Sequence, residues 1–80
     1  MKRHRPIHEI AYDIHRDWKK PNYGAIPYLE VMMILKTIED KYYSDSAKTI
    51  IVYFLSNAST YRGDKARVFK QELKEIINDA

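Results

Sequence analysis

The chain has 80 residues, of which 45% are hydrophobic and 31% are charged, and its formal net charge is +3. This length allows one hydrophobic core and not two, since a domain of this size buries only about 60% of its unfolded surface. The sequence has no cysteine, which excludes disulfides and thiolate metal sites, and its longest apolar run, residues 31–35, is far too short to span a bilayer. We therefore expect one soluble, cytoplasmic domain over residues 1–80, with residues 1–5 as a flexible basic arm.

Residues 6–20 form the first predicted helix. Pro6 suits its first turn, because a proline there loses no hydrogen bond, and Lys19 and Lys20 before Pro21 favour its end. The apolar side chains recur at the i, i+3, i+4, i+7 and i+11 spacing of one helix face. They are Ile7, Ile10, Ala11, Ile14 and Trp18.

A turn at residues 21–26 separates this helix from a second one, predicted over residues 27–43. Asn22 and Gly24 suit turn conformations, and Pro27 can open the helix. The apolar residues of this helix occupy more than one stripe, so we expect contacts on more than one of its sides. They are Leu29, Val31, Met32, Met33, Ile34, Leu35, Ile38 and Tyr42.

The third helix is predicted over residues 44–58, after a Ser44-Asp45-Ser46 cluster that suits an N-cap. Its apolar stripe, extended by Val52 and Tyr53, makes it the expected centre of the fold. The stripe consists of Ala47, Ile50, Ile51, Phe54, Leu55 and Ala58. The β-branched and aromatic run at residues 49–54 leaves a strand open as the alternative, because short apolar runs fit both structures.

The fourth helix begins at Thr60 or Asp64, both of which are suitable caps. Its apolar face consists of Ala66, Phe69, Leu73, Ile76 and Ile77. Four helices joined by short loops predict an all-α fold, a small four-helix domain arranged as an orthogonal or an up-and-down bundle.

The residues that could support catalysis do not form a recognisable pattern. His4, His8 and His15 are the histidines of the chain, but a zinc site needs further ligands at suitable spacing, and no HExxH pattern is present. No nucleophile stands beside an evident base, and no glycine-rich phosphate loop is present. The sequence therefore predicts no metal, no cofactor and no enzymatic activity.

Basic residues recur in and before the fourth helix. Arg67, Lys70 and Lys74 follow an i, i+3, i+7 spacing that could place them along nucleic-acid phosphates, and Arg62 and Lys65 lead into them. Lys2, Arg3 and Arg5 could add contacts from the N-terminal arm. The alternative is an ordinary solvated helix surface, because the interleaved acids Asp64, Glu72 and Glu75 can pair with these cations.

The connection between the third and fourth helices is the segment at residues 56–63. Asn57 suits the left-handed conformation that ends a helix, and Thr60 suits the cap of the next one. Tyr61 and Arg62 follow, and we expect both to be exposed near a helix N-terminus. Tyrosines are also abundant, seven in 80 residues, and some of them are expected to mark a partner surface.

Two segments of the chain resemble known sequences. "YGAIPYLEVM" at residues 23–32 and "YFLSNASTYRGDKARVFKQELK" at residues 53–74 resemble a family of small uncharacterised proteins carried by phages, plasmids and integrated elements of Gram-positive bacteria. The resemblance covers most of residues 7–77. It implies a bacterial cytoplasmic accessory protein that binds host or phage macromolecules, and it brings no established activity or site residues.

These observations lead to two functional hypotheses. The first is a non-enzymatic helical binding module that acts through a protein partner, with a homodimer as one form of the assembly. The second is a nucleic-acid-binding regulator that uses the basic residues of the last helix. The candidate binding residues are Asn57, Thr60, Tyr61, Arg62, Lys65, Arg67, Lys70 and Lys74.

Overall fold

The computed structural model describes residues 4–79, and in this range the chain is mostly helical. The helices are α1 (Ile7–Asp17), α2 (Ile26–Met32), α3 (Ala47–Ser56) and α4 (Asp64–Asn78). Two short strands, β1 (Lys41–Tyr42) and β2 (Asp45–Ser46), pair antiparallel between α2 and α3. The predicted small helical domain is therefore confirmed, but the chain is not strictly all-α.

The second helix is much shorter than the predicted residues 27–43. It ends at Met32, because the backbone of the segment after Met32 forms hydrogen bonds with the start of α1 instead. The backbone N–H groups of Ile7 and His8, which open α1, donate to the carbonyls of Lys36 and Leu35 at 2.9 and 2.8 Å. The first N–H groups of a helix have no partner within the helix, so this segment satisfies two of them. A pattern of apolar residues does not indicate such a backbone contact, and the predicted end of the second helix at residue 43 was wrong.

The hairpin leads directly into α3. Tyr43 takes a positive φ of 56° in the turn between the strands. Ser46 then caps α3, because its Oγ accepts a hydrogen bond from the N–H of Thr49 at 3.2 Å. This confirms the N-cap that the sequence predicted at residues 44–46.

α1 and α3 share the centre of the core, and the run at residues 49–54, in α3, is helical rather than a strand. This helix contacts both α2 and α4, while α1 packs against α4 and α2. Phe54 is fully buried, and its ring makes a T-shaped contact with Trp18, with the centroids 6.2 Å apart. The other buried apolar residues include Ile7, Ile10, Ile14, Leu29, Met32, Ile51 and Leu73.

Arg5, assigned by the sequence to a flexible arm, is attached to the fold. Its guanidinium donates to both carboxylate oxygens of Glu72 at 2.9 Å and to Asp13 at 2.7 Å. The other cations of that predicted arm, Lys2 and Arg3, lie outside the described residues. In residues 4–79 no helix is long and apolar enough to cross a membrane.

Candidate interaction surface

The connection between α3 and α4 is built around Lys70. Its ammonium group donates to the carbonyls of Ala58 and Tyr61 at 2.7 and 2.6 Å. It also lies 5.6 Å from the centroid of the Tyr61 ring. Charged donors satisfy carbonyls at the end of a helix well, so Lys70 holds this connection together and is not a free surface cation.

Tyr61 is buried, which corrects the expectation of an exposed aromatic. Only 2% of its surface is exposed, and its ring stacks on Trp18 with the centroids 4.9 Å apart. Its hydroxyl donates to Asp17 at 2.7 Å. Gly63, with φ of 120°, is the N-cap of α4, so this helix begins at Asp64. Tyr61 therefore lies in the loop before the helix, and its side chain packs inward.

The pKa values of these two side chains follow from their surroundings. Burial raises the pKa of the Tyr61 phenol, and the hydrogen bond to Asp17 raises it further, because both favour the neutral form. Burial lowers the pKa of Lys70, and the nearby cations Lys74 and Arg62 lower it further. The cations of this region therefore repel one another.

Asn57 and Thr60 join the connection to the turn before α2. The Asn57 side chain donates to the Tyr53 carbonyl at 2.8 Å, and Asn22 donates to the Asn57 carbonyl at 2.9 Å. Thr60 donates to Asn22 Oδ1 at 2.7 Å, so it does not cap α4 as predicted. Asn57 does end α3, but with φ of −104° and not in the left-handed conformation.

Gly24, in the turn before α2, packs closely against the Asn57 side chain. A Cβ at this position would lie 2.8 Å from the Asn57 Oδ1 atom, a distance that side chains do not tolerate without a shift. The role of Gly24 is therefore close packing against the end of α3. Four of the candidate binding residues, Asn57, Thr60, Tyr61 and Lys70, thus make contacts within the fold.

The remaining predicted basic residues are exposed but do not form one ridge. Lys65 lies beside a cleft shared with Asp13, Arg16 and Asp17 on the α1 side of α4. At 100° per residue, Arg67 and Lys74 lie on the side of α4 opposite Lys65. Arg62, from the loop, lies near Lys70 on that side. We call Arg62, Arg67 and Lys74 the basic edge. Its only salt bridge among the described residues is a loose one, 4.0 Å from Arg67 to the exposed Asp64.

The helices differ sharply in charge. Charged residues number four of 11 in α1 and seven of 15 in α4, but α2 has only Glu30 and α3 has only Lys48. The outer surface of α2 and α3 is therefore almost free of charge.

This surface is also rich in exposed apolar side chains. Ile34, Tyr53 and Val52 are exposed over 67%, 50% and 41% of their surface. The rings of Tyr28 and Tyr53 connect the two helices, with their centroids 5.5 Å apart. We call this surface the uncharged face; its residues are Pro27, Tyr28, Val31, Ile34, Thr49, Val52, Tyr53 and Ser56.

Sequence reasoning did not select these residues as a site, although a signal was present. The apolar residues after Pro27 were too many for one stripe, and we read the excess as contacts within the fold. In the structure Leu29 and Met32 are buried, whereas Ile34 remains exposed. Val31, Met33, Ile38 and Tyr42 are partly buried against the core, so most of the excess does make contacts within the fold, and Ile34 is the exposed exception.

The described residues were compared with the requirements of a metal site. Within residues 4–79, no group of three or more His, Cys, Asp or Glu side chains is placed to hold a metal ion. Comparison with known proteins adds no identification: no family model, curated protein or solved structure matches the chain. The resemblance to proteins of mobile elements stays a prediction.

Proposed function

We propose that the protein is a non-enzymatic binding module that docks a protein partner on its uncharged face. The observation that carries this proposal is the uneven charge of the four helices, with one charged residue each in α2 and α3. The centres of protein interfaces are depleted in charge and enriched in tyrosine, which buries a large area at low entropic cost. Tyr28 and Tyr53 supply such a centre.

The exposed residues of the uncharged face are also available without a cost to the fold. Tyr53 and Ile34 project half or more of their surface into solvent, so covering them removes apolar area from water. By contrast, the predicted residues Tyr61 and Lys70 are engaged within the domain. A partner that buries apolar side chains therefore fits the uncharged face better than the loop at residues 56–63.

Photo-cross-linking in the native host cell tests this proposal. A benzoyl-phenylalanine at position 53 is compared with one at position 68, where Val68 is a similarly exposed apolar residue on the charged helix α4. We expect protein adducts from position 53 and few from position 68. Equal adducts from both positions, or none from position 53, would contradict the proposal.

An alternative proposal, favoured by a separate observation, is a nucleic-acid-binding regulator that uses the basic edge. Arg62 and Lys74 both lie close enough to Lys70 to lower its pKa, so positive charge is concentrated there. Phosphate contacts relieve such repulsion, and they weaken steeply as the salt concentration rises.

An NMR titration with a mixed-sequence DNA duplex, at low and near-physiological salt, tests the alternative. It predicts salt-sensitive shifts at Arg62, Arg67 and Lys74, and their loss in a Lys74→Gln variant but not in Lys41→Gln, a change in the β-hairpin. A spectrum without shifts at either salt concentration would contradict it. In either case we propose a cytoplasmic protein of a bacterial mobile element, as the resemblance implies.

A further inference from the structure

We infer that the uncharged face binds a second copy of this chain, as a symmetric dimer in which α2 of one copy packs over α3 of the other. This inference rests on the proposed function and names the partner. It is carried by the positions of the two charged residues that border the face, Glu30 and Lys48.

The two helices of the uncharged face run antiparallel. Gly24, just before α2, abuts Asn57 at the end of α3, and four residues further along α2 Tyr28 contacts Tyr53, four residues earlier on α3. Continuing this register, Glu30 and Lys48 differ in height by about three residues, or roughly 4.5 Å, which a lysine side chain can span.

Glu30 and Lys48 lie on opposite borders of the face. At 100° per residue, Glu30 is about 160° around α2 from Tyr28, and Lys48 is about 140° around α3 from Tyr53. Tyr28 and Tyr53 meet between the helices, so Glu30 lies on the border away from α3 and Lys48 on the border away from α2. Both are exposed.

A symmetric contact requires the same patch on both copies. A two-fold axis parallel to the helices places α2 over the partner's α3, so that each Glu30 faces the partner's Lys48. A two-fold axis across the helices places α2 over α2 and brings each Glu30 towards the other Glu30. Opposite charges favour the first arrangement and like charges disfavour the second, and Tyr53, which meets Tyr28 between the two helices, is buried near the centre of the contact.

The short helices limit the strength of this dimer. At 1.5 Å per residue α2 and α3 are about 10 and 15 Å long, and side by side they are about 20 Å wide. This patch is smaller than the roughly 800 Å² per partner of a standard interface, so we expect a dissociation constant on the order of 100 µM.

Sedimentation velocity of the purified full chain between 10 µM and 1 mM tests the inference. We expect reversible dimerisation that weakens at least tenfold in Tyr53→Glu and is unchanged in Val68→Glu, the control on α4. A wild-type chain that stays monomeric at 1 mM, or an equal effect of both variants, would overturn it. If the chain is monomeric but position 53 cross-links to another protein, only the dimer fails; if position 53 cross-links to none, the proposed function fails.

Charge reversal tests the orientation. Glu30→Lys and Lys48→Glu should each weaken self-association, because each puts like charges opposite one another. A mixture of the two variants should dimerise at least as well as the wild-type chain, since in the mixed dimer both charge pairs across the interface are again of opposite sign. A mixture that associates no better than either variant alone would overturn the arrangement.

Discussion

Lys70 shows how one residue can change the interpretation of a whole sequence pattern. It shares the i, i+3, i+7 spacing of Arg67 and Lys74, which predicted a solvent-facing ridge. In the structure its ammonium group is directed at two carbonyls of the loop before α4. Its long alkyl chain lies partly buried, as lysine side chains can when the charged group finds acceptors.

We expect Lys70→Met to destabilise the domain by about 1.5 to 3 kcal/mol, because two carbonyls lose a charged donor. Lys74→Met, four residues further on the same helix, should change the free energy of unfolding by less than about 0.5 kcal/mol. Urea titration followed by circular dichroism measures both. Equal effects of the two substitutions would show that the Lys70 ammonium group behaves as an ordinary surface cation and does not stabilise the loop.

Asp13 is a second residue whose contribution to stability can be measured. It accepts hydrogen bonds from Arg5 and Arg16, and the Arg5 guanidinium holds the pKa of this carboxyl below its usual range. A carboxylate with a lowered pKa in the folded state stabilises the fold above its ordinary pKa, and this contribution is lost as the pH falls through the folded value.

The stability of the domain should therefore fall as the pH is lowered below about 4. Asp13→Asn should be less stable at pH 7 and lose less on acidification, whereas Glu9→Gln, on the exposed side of α1, should behave as the wild-type chain. Urea titrations at several pH values measure this. If Asp13→Asn and the wild-type chain lose the same free energy of unfolding on acidification, Asp13 does not contribute to the pH dependence.

At the scale of elements, α3 and α1 each pack against both α2 and α4. In α3, Phe54 is fully buried and makes a T-shaped ring contact with Trp18 at the end of α1. A large side chain at such a point leaves a cavity when it is removed, because the surrounding helices can close only partly.

Phe54→Ala should accordingly lower the free energy of unfolding by about 3 to 5 kcal/mol. Tyr53→Ala, its half-exposed neighbour on the same helix, is the matched control and should cost much less. Denaturant titration distinguishes them. A loss below about 1 kcal/mol in Phe54→Ala would place α3 outside the core.

The sequence predicted the helices whose ends depend on local signals. Periodicity located α1, α3 and α4, and Ser46 supplied the cap of α3. It failed after Met32, where the carbonyls of Leu35 and Lys36 leave the helix to bond with the start of α1. That contact joins residues far apart in sequence, and no local pattern encodes it.

The candidate site could be predicted only in part for the same reason. Asn57 and Thr60 have side chains typical of caps, but Thr60 bonds instead to Asn22, almost 40 residues away. Tyr61 precedes a helix and looked exposed, yet Trp18 and Asp17 bury its ring and bind its hydroxyl. The excess of apolar residues near Val31 and Ile34 was visible, but not the side on which it would be exposed.

At the scale of the molecule, the charged residues of the helices are concentrated in α1 and α4, whereas α2 and α3 have one each. The charged side chains of α1 and α4 include the pairs that fasten Arg5 to Glu72 and Asp13. On the uncharged face of α2 and α3, Tyr53 contacts Tyr28 but keeps half of its surface exposed, and Ile34 is exposed over 67% of its surface. This uneven distribution of charge is the basis of the proposed function, in which one side of the domain maintains the fold and the other meets a partner.

NMR of the labelled protein in clarified lysate of its native host, compared with buffer, tests this central claim most directly. We expect amide signals of Tyr28, Val31, Ile34 and Tyr53 to broaden or shift, with little change between low and near-physiological salt, while those of Val68 and Gln71 stay as they are. Changes confined to Arg62, Arg67 and Lys74 that disappear as salt rises would contradict the account and assign the binding surface to the basic edge.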